Sequence, residues 1–166
     1  MNLGYKQYFP FNGKPTNFDK KIIKSIHQGS IYHDYPSIIP KIHAIREDPY
    51  NRWKPGMKIH HAYGVRTKNY DCFAEGVCTH IQIMEIREVK MGSSDDCYCF
   101  PLMSPKHHKN AVSGKIFRVI IDGKVLSEKM IDLLAKNDGF NTTEDFFLWF
   151  NGNLKRRIIH WTDFKY

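Results

Sequence analysis

Lys41, His43 and Arg46 are followed closely by Tyr50, Arg52, Trp53, Lys54 and Lys58. These residue types suit one kind of chemistry. A lysine in a partly dry pocket loses basicity and can act as a base or bind a carbonyl oxygen. An arginine beside it offers a planar fork for a phosphate or a base edge. Tyr50 and Trp53 are candidates for stacking a nucleobase. The set therefore fits an anionic, flat ligand. The plain alternative stays open: Trp53 fills the core and the charges line a solvated loop.

The elements that must position these residues follow from periodicity. Ile42 to Glu47 reads as a strand. On a regular strand Lys41 and Arg46 point to opposite faces, because side chains alternate. They converge only if Lys41 precedes the strand or a bulge intervenes. Pro40 favours the first solution, since proline cannot donate to a ladder and prefers strand starts. Lys41 is then expected at a cavity rim. Ala44 and Arg46 share one face of the strand, and His43 and Ile45 the other. Asp48-Pro49 and Lys54-Pro55-Gly56 are turn signals. Met57, Ile59, His61 and Tyr63 alternate with Lys58, His60 and Ala62, which predicts a second strand.

The surrounding chain has 166 residues, a formal net charge of +8, and 42% apolar and 14% aromatic residues. One globular domain over 1–166 is expected, with enough length for a core of its own. Its composition is not that of a disordered chain. No apolar run reaches membrane-spanning length, and Met1 to Lys6 lacks the apolar stretch of a signal peptide. The expectation is a soluble, cytoplasmic protein without a membrane partner. The positive charge favours encounter with phosphates. Cys97-Tyr98-Cys99 with His107-His108 departs from the usual zinc-knuckle spacing and reads better as a polar loop. No metal and no cofactor are expected.

Residues 1–17 read as an aromatic arm packed on the domain. Phe18 to Ile26 reads as a helix capped by Asn17, with Lys20, Lys21 and Lys24 facing outward. Val77 to Val89 reads as one long strand, bulged near Met84-Glu85-Ile86. Residues 91–114 read as a loop insertion, with a short strand at Cys97–Leu102. Lys115 to Ile121 reads as a strand ending in an Asp122-Gly123 turn. Ser127 begins a helix to about Asn137, stopped by Asp138-Gly139. Asn141 and Glu144 have capping-box spacing ahead of a Phe/Trp-rich helix that Gly152 stops. Arg156 to Phe164 reads as the last strand. This pattern is α+β: a small mixed sheet or barrel with peripheral helices.

Ile39-Pro40-Lys41-Ile42-His43-Ala44-Ile45-Arg46 resembles the signature Gly-x-Lys-x-x-acid/Thr-x-Arg of the ASCH family, a branch of the PUA-like superfamily. Trp53 to Ile59 is similar to that family's turn and second strand. Asp138-Gly139-Phe140, the helix after it and Ile158 to Phe164 are similar to its C-terminal half. The resemblance covers residues 16–166 in layout, with 91–114 as an insertion. It implies a small PUA-like mixed β-barrel with peripheral helices and a cleft beside Lys41–Arg46. It also implies RNA or a modified nucleotide as partner. One ASCH branch hydrolyses the amide of N4-acetylcytidine with a Lys, a Thr and an acid. The Lys matches Lys41, the acid falls near Asp138, and the Thr position is Ala44.

Ile39 replaces the signature glycine, and a methyl group at Ala44 cannot attack a carbonyl. Recognition by Lys41, His43, Arg46, Tyr50, Arg52, Trp53, Lys54 and Lys58 is therefore the first expectation. Hydrolysis of an acylated nucleoside, with Lys41 and Asp138 as catalytic residues, is the second. A protein-interaction domain with no nucleic-acid role is the third.

Overall fold

The structure is a computed structural model that describes residues 1–27, 38–89, 111–112 and 115–166. The predicted insertion at 91–114, including Cys97, Cys99 and the short strand proposed there, lies almost wholly outside the described residues, which resume with Ala111–Val112.

In chain order the elements are β1 (Asn2–Tyr5), α1 (Phe18–Ile26), β2 (His43–Arg46), β3 (Lys58–Tyr63), β4 (Asp71–Val77), β5 (His80–Val89), β6 (Ala111–Val112), β7 (Lys115–Ile121), β8 (Lys124–Val125), α2 (Glu128–Asn137), α3 (Thr143–Trp149) and β9 (Leu154–His160). A three-stranded sheet has the order β1-β3-β4, with β1 parallel to β3. A six-stranded sheet has the order β2-β9-β5-β7-β6, and β8 forms a hairpin on β7. The class is α+β, as expected. Among the described residues no strand pairing joins the two sheets and no closed barrel forms. No helix among them is long and apolar enough to cross a membrane.

Alternation along the strands explains the core. Gln82, Met84 and Ile86 of β5 turn inward, and so do Phe117, Val119 and Ile121 of β7. The apolar ones share one core with Phe146 and Phe147 of α3, both fully buried; the Phe117 and Phe147 rings stack at 5.0 Å. Burying each such ring contributes about 2–3 kcal/mol. Ser127 accepts the Met130 N–H and starts α2, as its spacing predicted. Asp122 and Gly123 both have positive φ, which matches the twist of the β7–β8 hairpin.

Several expectations need correction. Part of the arm is a strand, β1, because its backbone pairs with β3. The single strand over 77–89 is two: Val77 ends β4, and Cys78 and Thr79 turn the chain into β5. The register of β5 is continuous through Met84–Ile86, and the bulge lies instead at His61/Ala62. Asn17 has φ 51° and its side chain caps nothing. Thr142, not Asn141, caps α3 by accepting the Asp145 N–H. The last strand ends at His160, and residues 161–166 fold back on the domain. Lys21 is not outward but 8% exposed.

Candidate functional site: a buried polar centre at the start of β2

The backbone ahead of β2 is pinned on both sides. The Lys41 N–H donates to the Lys21 carbonyl of α1 at 3.1 Å, and the Ile42 N–H donates to the Asn137 carbonyl at the end of α2 at 2.9 Å. Lys41 therefore precedes the strand, as parity required. It is not at a rim: it is 2% exposed. Its ammonium donates to the main-chain carbonyl and to the carboxylate Oδ1 of Asp138, and lies 4.8 Å from the centre of the Phe18 ring. Asp138 is the C-terminal cap residue of α2 and is 3% exposed. Gly139 makes the contact possible. Its φ is +90°, and a Cβ there would stand 2.9 Å from Phe18 and 3.2 Å from Lys41 Cδ. Lys21 grips the same turn, donating to the Gly139 carbonyl at 2.6 Å.

Two polar arrangements flank this pair. On one side the Tyr5 hydroxyl and His61 Nδ1 are 2.9 Å apart, and the Arg46 guanidinium lies 5.0 Å over the Tyr5 ring while donating to the Gly4 carbonyl at 2.8 Å. On the other, His43, His160 and His80 stand directly opposite one another on β2, β9 and β5. Their ring centres are 5.2 Å and 4.1 Å apart in sequence across the sheet. His43 Nε2 is 3.9 Å from Asp138 Oδ1. Neither nitrogen of His43 or of His160 has a hydrogen-bond partner among the described residues. Among those residues no His, Cys, Asp or Glu group has the geometry to hold a metal ion.

Burial dominates the proton affinities. It lowers Lys41 to about 8, against the pull of the Asp138 carboxylate. It raises Asp138, against the opposing charge and hydrogen bond of Lys41. Both members are thus driven towards neutrality while each holds the other charged. Burial lowers His61 to about 3, with Lys41 and Arg46 adding to the effect. It lowers His160 to about 3 as well, helped by His80. His43 falls well below the usual histidine range through burial, then through His160 and Lys41. These rings are neutral near pH 7.

The structure gathers Lys41, His43 and Asp138, with Arg46 at the margin. It does not bring Tyr50, Arg52, Trp53, Lys54 or Lys58 to them. Trp53 is a core residue at 4% exposure, so base stacking on its faces is not available as packed. The Asp48 carboxylate fixes it there by accepting the N–H groups of Arg52 at 3.0 Å and Trp53 at 3.1 Å. Tyr50 is 80% exposed on the same turn, Arg52 and Lys54 face solvent, and Lys58 pairs with Glu75 at 2.7 Å. Ala44 is fully buried opposite Ile159 and brings no reactive group.

Sequence reasoning missed Tyr5, Lys21, His61, Gln82, His160 and Tyr166. His61 and Gln82 carried a signal: alternation with Ile59 places the first on the inward face of β3, and alternation with Met84 and Ile86 places the second on that of β5. Comparison with known proteins returns no match: no protein-family model, no curated protein and no solved structure is similar to the chain.

Proposed function

We propose that this chain is a PUA-like recognition domain for RNA or a modified nucleotide, with its polar centre at Lys41, His43 and Asp138. The observation that carries the reading is the burial of the Lys41–Asp138 pair. Removing two charges from water costs several kcal/mol, and apolar residues of similar volume would serve stability as well or better. A pair kept despite that cost, within electrostatic reach of Arg46, Tyr5 and His61, supports a ligand site that must open for its ligand, since Lys41 and Asp138 are 2% and 3% exposed. The +8 net charge supports a polyanionic partner. Arg46 contacts the phosphate or base edge, and exposed Tyr50 with Arg52, Lys54 and Lys58 forms an outer contact surface for the strand.

The test is anisotropy of a fluorescent single-stranded RNA titrated at several salt concentrations. Affinity is expected to fall linearly on logarithmic axes as salt rises. Arg46→Ala and Tyr50→Ala are each expected to weaken binding by roughly tenfold, near the lower part of the range for a lost stacking or fork contact. No binding at low salt overturns the reading.

The position of Lys41 near 8 favours one second reading, hydrolysis of an acylated nucleoside such as N4-acetylcytidine. This requires the sealed centre to open to substrate and one water; neutral Lys41 then accepts a proton from that water, the water oxygen attacks the acyl carbonyl, and the amine leaves with a proton returned from the lysine. Asp138 orients the lysine and Ala44 takes no part. Turnover is expected to rise with pH through about 8 and to vanish in Lys41→Met. A wild-type chain without turnover of acylated cytidines rejects this reading and leaves the first intact.

A further inference from the structure

The segment after β9 returns across the histidine row, and Tyr166 is seated there like a bound ligand. Asn137 Nδ2 donates to its hydroxyl at 3.0 Å. Gln82 faces its main chain with both ends of one amide: Oε1 accepts the Tyr166 N–H at 3.1 Å, and Nε2 donates to the Tyr166 main-chain oxygen at 3.3 Å. The ring meets His43 edge to face, with centres 5.6 Å apart and planes at 87°. It also lies 6.2 Å from His160. Phe164 closes the seat with a ring 4.9 Å away, edge to face; the other side chains are polar and planar, yet Tyr166 gives no hydrogen bond to either histidine.

Two independent features point to another occupant. The first is the amide pair. Gln82 holds the main-chain N–H and oxygen of Tyr166 with an acceptor beside a donor, a pattern that also suits the edge of a base once that main chain lifts away. Asn137 offers a further amide to the far end of the ring. The second is the unused hydrogen-bonding capacity of the histidines. His43 and His160 are fully buried, and their four ring nitrogens have no partner among the described residues. An unpaired buried nitrogen costs free energy that a phenol ring edge does not return. A heterocycle with its own ring nitrogens and exocyclic groups would.

We propose that the Tyr166 ring occupies, in cis, a pocket for a nucleobase that meets Asn137 at its far end and lies against His43 and His160, with Gln82 joining the contact once the main chain of Tyr166 has also left. Asp122 holds the reader in place, since its Oδ2 accepts from Gln82 Nε2 at 2.9 Å. The seat adjoins the Lys41–Asp138 pair through His43. The inference thus rests on the nucleotide-recognition reading and names its base subsite. Binding in the native chain requires Tyr166 to leave, so apparent affinity is reduced by the fraction of molecules in which the seat is open.

The experiment compares the full chain with Tyr166→Ala and Tyr166→Phe, titrating each with cytidine, uridine, adenosine and guanosine. Histidine side-chain nitrogen signals are followed by NMR. Tyr166→Ala is expected to bind at least one nucleoside about tenfold more tightly than the native chain, with shifts at His43 and His160. Tyr166→Phe, which keeps the ring, is expected to stay near the native affinity. Binding of p-cresol to Tyr166→Ala with no binding of any nucleoside shows a cavity of tyrosine shape only and overturns the proposal. If Tyr166→Ala does not fold, the native chain decides. Hydrogen exchange of the Tyr166 amide, held on Gln82, must accelerate at saturating nucleoside, and unchanged exchange overturns the proposal. RNA anisotropy on the same samples separates the two ideas. Intact RNA binding with no nucleoside effect removes the base seat alone, and absent RNA binding with a nucleoside effect removes the polyanion reading alone.

Discussion

The two ends of β2 meet opposite physical conditions. At its start, Lys41 and His43 are sealed inside with Asp138. At its finish, Glu47, Asp48, Pro49 and Asn51 open onto a groove of about 260 Å³ shared with Ile83 and the basic run 155–157 of β9, while Arg46 turns away from it to the Gly4 carbonyl. The groove holds charges too: Arg157 lies 3.9 Å from Asp48, Arg156 lies 3.8 Å from Glu47, and Lys155 lies 3.1 Å from Glu85. Both ends contain ion pairs. At the open end Asp48 is buried too, but the Arg52 and Trp53 N–H groups hold it, whereas the Glu47 and Glu85 pairs are in reach of water; the sealed end has no water to replace a lost partner. The same interaction type is therefore expected to be critical at one end and nearly silent at the other.

The largest effect should come from breaking the sealed pair. Lys41→Ala leaves the Asp138 carboxylate buried without its ammonium, and Asp138→Ala strands the ammonium instead. Each is expected to destabilise the fold by about 3–5 kcal/mol, read as a lower midpoint in urea unfolding with an unchanged slope. The double variant Lys41→Met/Asp138→Leu removes both charges and keeps volume. It should recover most of that loss while abolishing ligand binding. A double variant as unstable as the worse single one would mean that the pair supports the fold directly, and the contrast between the two ends would lose its functional meaning.

The next effect sharpens the contrast through pH. His61 and His160 have folded values of about 3, below the ordinary 6.5. A group with a depressed folded value binds fewer protons in the native state than in the unfolded one. Its stabilisation is complete above about 6.5 and is lost as pH falls from there towards 3. At pH 5 each such ring should cost about 2 kcal/mol. His43 shifts in the same direction and adds to the loss. Unfolding midpoints measured from pH 7 to pH 4.5 are expected to drop steeply. His160→Asn should flatten the curve, since an amide takes up no proton there. A flat wild-type curve would place these rings in contact with water.

How much of this was legible depends on whether a residue's neighbours are local. The bounds of α1 and β7, the Ser127 cap and the stop at Asp138-Gly139 follow from periodicity and capping within a few residues, and they hold. Proline and parity correctly put Lys41 ahead of β2. Depth was not legible. Lys21 read as a surface group and Lys41 as a rim group, and Trp53 stood open between base stacking and the core, because nothing nearby in sequence shows that the turn after α2 or the Asp48 carboxylate will enclose them. β1 and β4 escaped for a related reason. Asn2–Tyr5 and Asp71–Val77 contain Gly4, Glu75 and Gly76 and have weak strand character of their own. Their identity comes from pairing with β3. Tyr166 could not be linked to Gln82 and His43 at all, because its contacts arise only once the segment after β9 has folded back.

The smallest effect belongs to the open end, and it sets the scale for the others. Glu85 receives Arg87 at 2.7 Å and Lys155 at 3.1 Å, and the Lys155 side chain is 67% exposed. Water competes for every one of these groups, and holding two long side chains in one geometry costs entropy. A double-mutant cycle on Lys155→Ala and Glu85→Ala should give a coupling of about 0.5 kcal/mol or less, and it should vanish in molar salt. The parallel cycle on Lys41 and Asp138 should give several times more and should survive the salt, because screening ions cannot enter the sealed end. If the two cycles agreed in size or in salt response, the Lys41 centre would be as wet as the groove. Its lysine would then have no cause to sit near 8, and the hydrolytic reading would fall first, since it depends on that dryness while polyanion recognition by Arg46 and Tyr50 does not.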